Sequence, residues 1–191
     1  MSRTKYIVLL AVIIAMAYVV GLFIRIRFMA AAPFLTYDPK DTIIVLGGFL
    51  FGPIAAFTAS FVLAFIEMIT HSQTGPWGMV MNFSASATFA VPAAFMYKRM
   101  PNIWGVIIGL VIGSLFATAM MLYLNYLVVP LFMQGVTREQ VLDMLVPIFL
   151  PFNLIKTGIN SAIVIIIYKP LFMALKAAGV LDNMNLGMGE K

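Results

Sequence analysis

The sequence predicts an all-α integral membrane protein with six transmembrane helices and both termini in the cytoplasm. Three observations predict it. Hydrophobic residues make up 63% of the 191 residues and charged residues only 10%, whereas soluble domains run near 45–50% and 25%. The mean hydropathy is +1.04. Since a helical span needs about 20 apolar residues, this length accommodates roughly six spans with little soluble mass. Finally, basic residues are unevenly shared between the two sides of the layout below. The whole chain, 1–191, reads as one transmembrane domain.

The first span runs from about Lys5 to Ile24. It follows Arg3 and Lys5 in the manner of a signal peptide but lacks a small-residue cleavage site, so it reads as a retained helix. Next comes the loop "RIRFMAAAPFLTYDPKD", then a short apolar segment, Thr42 to Phe51, broken by Gly52 and Pro53. With only ten residues this segment is short for a span, so it either extends into its flanks or sits partly re-entrant. The third span covers about Ile54 to Thr70 and leads into the turn-rich "HSQTGPWG". The fourth, about Met79 to Tyr97, is closed by "KRMPN". The fifth runs from about Ile103 to Val129, and the loop after it, containing "QGVTREQ", extends to Val146. The sixth covers about Pro147 to Leu175.

Six crossings put both termini on one side. Seven basic residues then lie inside (Arg3, Lys5, Lys98, Arg99, Lys169, Lys176, Lys191) and four outside (Arg25, Arg27, Lys40, Arg138). The bias favours cytoplasmic termini. The net charge of +5 reflects this topology and gives no reason to expect nucleic acid. No internal repeat is visible, which counts against inverted-repeat transporter folds.

Lys156 remains within the membrane. Asn153, Lys156, Thr157 and Asn160 recur at i, i+3, i+4 and i+7, so they share one face of the sixth span. A mid-span lysine costs about 2.5–3.5 kcal/mol on insertion. It either snorkels to a headgroup or faces inward. Nine residues separate it from Pro147, about 14 Å of helix, and that depth favours an inward, functional placement. On this reading, removing the charge leaves the fold intact or improves it. Asn82 opens the fourth span and Asn125 lies near the outer end of the fifth. Together with Asn153 and Lys156 they bring amides and an ammonium to one outward-facing region, suited to a polar, largely neutral ligand that is flat or polyhydroxylated.

Ser84, Ser86, Thr88, Ser114 and Thr118 are expected mainly to bond the carbonyl four residues back in their own helices. Glu67 and His71 share a face four residues apart, as a proton relay or as an anchor for the neighbouring loop, with the anchor favoured. Trp77 reads as an interfacial anchor rather than a stacking partner. Ala11 with Ala15, and Ala55 with Ala59, repeat the small-xxx-small spacing that lets helices approach closely.

The chain has no P-loop and no H-E-x-x-H or G-x-S-x-G motif; it also has no cysteine and a single histidine. ATP binding through a P-loop, a typical metal centre and serine-type catalysis therefore find no support, and the chain is not expected to be an enzyme or to hold a cofactor.

Five stretches together, "FLTYDPKD", "GGFLFGP", the "IE" of the third span, "TGPWGMVMN" and "NLIK", resemble the riboflavin-specific S component of energy-coupling factor (ECF) transporters. The likeness runs from Phe34 to Lys156 and fits the six-span layout. It implies a subunit that captures riboflavin from outside as a transported ligand. It also implies partners: a transmembrane T subunit and two ATPase subunits, in a bacterial, Gram-positive cell membrane. It implies ligand contacts from Leu35, Thr36 and Tyr37 in the first loop, Met81 and Asn82, Asn125, and Asn153 with Lys156. Phe34, Leu35 and Met81 would be apolar walls for the flat ring. Ala11 and Ala15 would dock the T subunit. Two alternatives stay in view: a stand-alone proton-coupled secondary transporter using Glu67, His71 and Lys156, and a membrane enzyme or assembly protein. The missing repeat counts against the former, and the missing catalytic constellation against the latter.

Overall fold

Helix α1 (Arg3–Phe23) begins where the Ser2 hydroxyl accepts from the Lys5 amide, at 3.4 Å. It ends as Ile24 turns to extended backbone. A computed structural model describes residues 2–29, 32, 35–72, 74–133 and 135–177; Phe34 and Lys191 lie outside the described residues. Leu10, Ile14, Ala17 and Gly21 form the buried stripe of α1, at the helical spacing of one face. Ala11 and Ala15 lie off that stripe and are exposed.

The loop after α1 folds back on itself. Ile26 and Tyr37 form an isolated antiparallel bridge, each donating its amide to the other's carbonyl at 3.0 and 2.9 Å. Pro39 then starts α2 (Lys40–Phe51), two residues earlier than the sequence suggests. At 12 residues, about 18 Å, it is shorter than a span. Its burial explains how the fold accepts this: nine of the 12 residues, including Lys40, Asp41 and Thr42, are shielded by the surrounding helices. Gly52 separates α2 from α3 (Pro53–Thr70) with φ +91°, a conformation open to glycine at no steric cost. Pro53 follows at the first helical position, where a missing N–H loses nothing.

Helix α4 (Gly75–Arg99) starts four residues before the expected Met79 and takes exposed Trp77 into its first turn. Helix α5 (Ile103–Phe132) is capped by Asn102, whose side chain accepts from the Gly105 amide at 3.0 Å. In lipid, helix association relies on close packing rather than on expulsion of water, so small residues collect where helices meet. A β-carbon at Gly109 would lie 2.8 Å from the Ala93 carbonyl, and one at Gly113 would strike the Phe89 carbonyl. The same holds between α2 and α4, where a β-carbon at Gly48 would stand 2.9 Å from that of Ala94. Ala55 and Ala59 are also fully packed inside.

The stretch read as a loop up to Val146 is largely helical. Helix α6 (Arg138–Met144) is started by a capping box: the Thr137 hydroxyl accepts from the Gln140 amide, and the Gln140 side chain accepts from the Thr137 amide. This is the S/T-x-x-E/Q signature, legible in "TREQ". A π-helical turn, Leu145–Phe149, joins α6 to α7 (Leu150–Ala177). Pro147 sits in that turn and brings no amide proton, and the Leu150 amide reaches five residues back to Leu145. The result is one 40-residue helical stretch, Arg138–Ala177. Among the described residues there are thus six helical units, five of them long and apolar enough to cross a membrane. Exposed apolar side chains such as Ile7, Val8, Val12, Phe61 and Leu115 supply the lipid-facing surface.

Candidate ligand-binding site

The polar interior gathers at the start of α2. Lys40, the first residue of α2, is 3% exposed, and its Nζ donates to both Glu67 carboxylate oxygens at 2.7 Å. The sequence reading counted Lys40 among outer surface residues. Instead the buried carboxylate on α3 draws it inward, because a lone Glu67 at that depth would be strongly unfavourable.

Lys156 does not snorkel. Its Nζ lies 3.5 Å from Asp38 Oδ2 and 3.6 Å from Asp41 Oδ2. Asp38 Oδ2 also stands 3.9 Å from Lys40 Nζ, so the two lysines share this carboxylate. Asp41 accepts from the Ser86 hydroxyl of α4 at 2.5 Å. Both aspartates stand at the N-terminus of α2, where the helix dipole favours negative charge. The expectation that Lys156 can be neutralised without loss is therefore corrected, since its removal would strip two shielded carboxylates of their main cation.

A second link crosses between the first loop and α7. Tyr37 Oη donates to Asn160 Oδ1 at 3.1 Å, and Thr42 Oγ1 donates to the same oxygen at 3.4 Å. Asn160 is fully buried and its Nδ2 has no partner among the described residues. Asn125 is also fully buried; its Nδ2 donates to the Met121 carbonyl at 2.6 Å and its Oδ1 has no partner among the described residues. Asn153 donates to the Phe149 carbonyl at 2.7 Å. Among the described residues, the bundle thus holds an unpaired amide donor at Asn160, an unpaired amide acceptor at Asn125 and, at Lys156, an ammonium with long ion-pair contacts. These groups match the carbonyl, ring-nitrogen and hydroxyl chemistry of a neutral polar ligand.

The other expected site residues are placed as follows. Leu35 is 8% exposed and packs in a second apolar cluster with Val129, Phe149 and Phe152. Thr36 and Met81 are half-buried, in the first loop and near the start of α4. Asn82 is half-buried, and its amide donates to Glu67 Oε2 at 3.1 Å, so this nitrogen serves the ion pair. The Glu67–His71 pairing is also revised. Glu67 is engaged by Lys40 and Asn82, whereas His71 contacts Arg25 Nη2 and the Thr70 hydroxyl. Partial burial and then the Arg25 guanidinium hold the His71 imidazole below its ordinary pKa, so it stays neutral near pH 7. Burial pushes the Asp38 carboxyl up, but Lys156 and then Lys40 outweigh it and hold the group below the usual carboxylate range. Burial, followed by Asp38, raises the Tyr37 phenol, which keeps its proton. Of the hydroxyls, Thr88 and Thr157 do bond their own helices, at Ser84 and Asn153. Ser86 instead serves Asp41, and Thr118 Oγ1 is buried without a partner among the described residues.

Asp38, Lys40 and Asp41 were the residues missed. A signal for them existed: an intramembrane lysine needs a carboxylate partner, and "DPKD" is the nearest acidic cluster on the outer side of the predicted layout.

A short buried helix packed against α1, α3, α4 and α7, with polar groups gathered at one end around a lysine, defines a membrane subunit that receives a small molecule. The chain belongs to the family of ECF transporter substrate-specific components, whose model matches residues 5–168. It is 30% identical over 181 residues to the riboflavin transporter RibU of Staphylococcus aureus, covering 92% of this chain and 95% of that one. It is 26% identical over 182 residues to the riboflavin transporter FmnP of Bacillus subtilis, covering 91% and 93%. A solved S component of a bacterial ECF transporter superposes with a TM-score of 0.77 at 30% identity, over 92% of this chain and 99% of that structure.

Proposed function

We propose that this chain captures riboflavin from outside the cell as the substrate-binding subunit of an ECF transporter. The observation that carries this reading is its likeness, over nearly its full length, to proteins named riboflavin transporters. The site supports it: few polar groups, from Asn125, Asn153, Lys156 and the first loop, meet apolar side chains such as Leu35. In this reading Lys156 and Asn153 face the polar edge of the isoalloxazine or the ribityl hydroxyls. Leu35, Thr36, Tyr37, Met81 and Asn82 complete the contacts. The termini lie in the cytoplasm, and the chain binds and releases riboflavin unchanged. Purified chain is expected to carry a flavin absorption spectrum and to quench riboflavin fluorescence on titration. A chain that quenches none refutes the proposal. Concentrative uptake by the chain alone in liposomes under a proton gradient would favour a secondary transporter.

Energy for transport would come from the T subunit and two ATPase subunits, in keeping with a sequence that has no P-loop. Two small-xxx-small pairs have opposite fates here. Ala55 and Ala59 are packed within the chain, while Ala11 and Ala15 are exposed. The exposed pair is the one free to meet a partner helix. Replacing both Ala11 and Ala15 with Trp is expected to abolish co-purification with the T subunit and leave riboflavin binding intact. Unchanged assembly would refute the docking role.

A further inference from the structure

We propose that His71 is a positioning residue for the ligand: its neutral imidazole holds Arg25, and through Arg25 the first loop, so that binding weakens as the medium turns acidic. This rests on the riboflavin reading above. The hydrogen bonds fix the state of the ring. Thr70 Oγ1 donates its one proton to the Ile66 carbonyl at 2.7 Å, so towards His71 Nδ1, 3.0 Å away, it can only accept. Nδ1 therefore carries the imidazole proton, and Nε2 keeps its lone pair. The Arg25 Nη2 that meets Nε2 can only donate. Both sides of the ring thus select one neutral tautomer, with its acceptor facing the guanidinium.

This contact reaches the ligand site through the backbone. Arg25 Nε donates to the Gly21 carbonyl at 2.9 Å, so one guanidinium joins the last turn of α1 to the end of α3. Arg25 directly precedes Ile26, which exchanges both backbone bonds with Tyr37. Tyr37 in turn reaches Asn160 on α7. His71 thereby pins one arm of the bridged loop whose other arm supplies Leu35, Thr36 and Tyr37.

The charged and titratable groups around the imidazole are Arg25 and Asp38 from the first loop, Lys40 from α2, Glu67 one turn back on α3, and the Tyr18 ring of α1 at 5.8 Å. Burial, and then Arg25, disfavour a charged ring; Glu67 opposes them less strongly, and its carboxylate is already taken by Lys40 and Asn82. Protonation at Nε2 would remove the acceptor and set a second cation against the guanidinium. The held ring binds its proton more weakly than a free one, so the contact contributes fully above the ordinary imidazole value of about 6.5 and is lost as the pH falls from there. His71 is partly exposed, which lets the medium set its protonation.

The test is the riboflavin dissociation constant, measured by fluorescence quenching between about pH 5 and 8, where an imidazole titrates. Ligand-free thermal unfolding is followed at each pH. Wild type is expected to bind about two- to tenfold more weakly at the acid end, the range of one hydrogen bond. His71→Leu and Arg25→Met are each expected to show the weaker binding at the alkaline end already, with no remaining response to pH. The double variant should be no weaker than either single one, because both remove the same contact. His71→Gln keeps an acceptor that does not titrate, and is expected to recover part of the affinity with a flat profile. A wild-type profile without slope, a slope that survives in His71→Leu, or a loss of affinity that merely follows the unfolding midpoint overturns the inference while riboflavin binding stands. A wild type that binds no riboflavin at either end overturns the riboflavin reading and this inference with it.

Discussion

Lys156→Met is expected to weaken riboflavin binding by about ten- to 150-fold, corresponding to the 1.5–3 kcal/mol of a hydrogen bond to a charged group. The structure adds a second consequence. Asp41 would keep the Ser86 hydroxyl, and Asp38 would keep Lys40 at 3.9 Å, but neither would retain Lys156. The variant should therefore also lose stability without ligand, because removing one member of a shielded ion pair leaves the other uncompensated. Adding Asp41→Asn to Lys156→Met should recover part of that stability and none of the affinity. Asn153→Leu should weaken binding by only about 0.5–1.5 kcal/mol. Flavin titration and ligand-free thermal unfolding on the same preparations separate these effects. Lys156→Met that binds riboflavin as wild type does would remove the lysine from the site.

That second consequence marks a boundary of sequence reasoning. Lys156 was legible as anomalous because a charge within an apolar run is costly wherever it sits. Its partners were not, because Asp38 and Asp41 lie more than a hundred residues away in a stretch that reads as solvated loop. Only the short α2, drawn into the bundle by its apolar Ile44, Val45 and Phe49, brings them inward. Glu67 and His71 show the converse. Their four-residue spacing puts them on one face of a helix, but the nearer competitors, Lys40 and Arg25, arrive from elsewhere in the chain and take each side chain separately. The long spans were readable from hydropathy alone. The start of α6 was readable too, from the capping box in "TREQ", but its polar residues obscured it. The close approach of α5 to α4 rests on Gly109 and Gly113, a glycine spacing that hydropathy does not register.

Glu67→Gln is expected to destabilise the ligand-free protein by about 3–5 kcal/mol, the range for breaking a buried pair from one side. For a chain of this size that corresponds to a fall of about 6–20 °C in the unfolding midpoint. Lys40 would be left 3% exposed, with Asp38 at 3.9 Å as the remaining ion-pair partner among the described residues. Lys40→Met should cost a similar amount, since Glu67 would keep only the Asn82 amide. The double variant Lys40→Met/Glu67→Gln removes both charges and keeps an acceptor for Asn82. It should lie within about 1–2 kcal/mol of wild type, because an apolar replacement for a buried ion pair is often neutral or better. The signature is therefore strong non-additivity between side chains in direct contact. Thermal unfolding of the four proteins in one detergent measures it. The same set tests the proton-relay alternative. A relay would make Glu67→Gln stable but inactive in proton-coupled uptake, and the double variant no better. If Glu67→Gln unfolds with wild type, or if the two single losses simply add, the Lys40–Glu67 bond does not anchor α2 against α3.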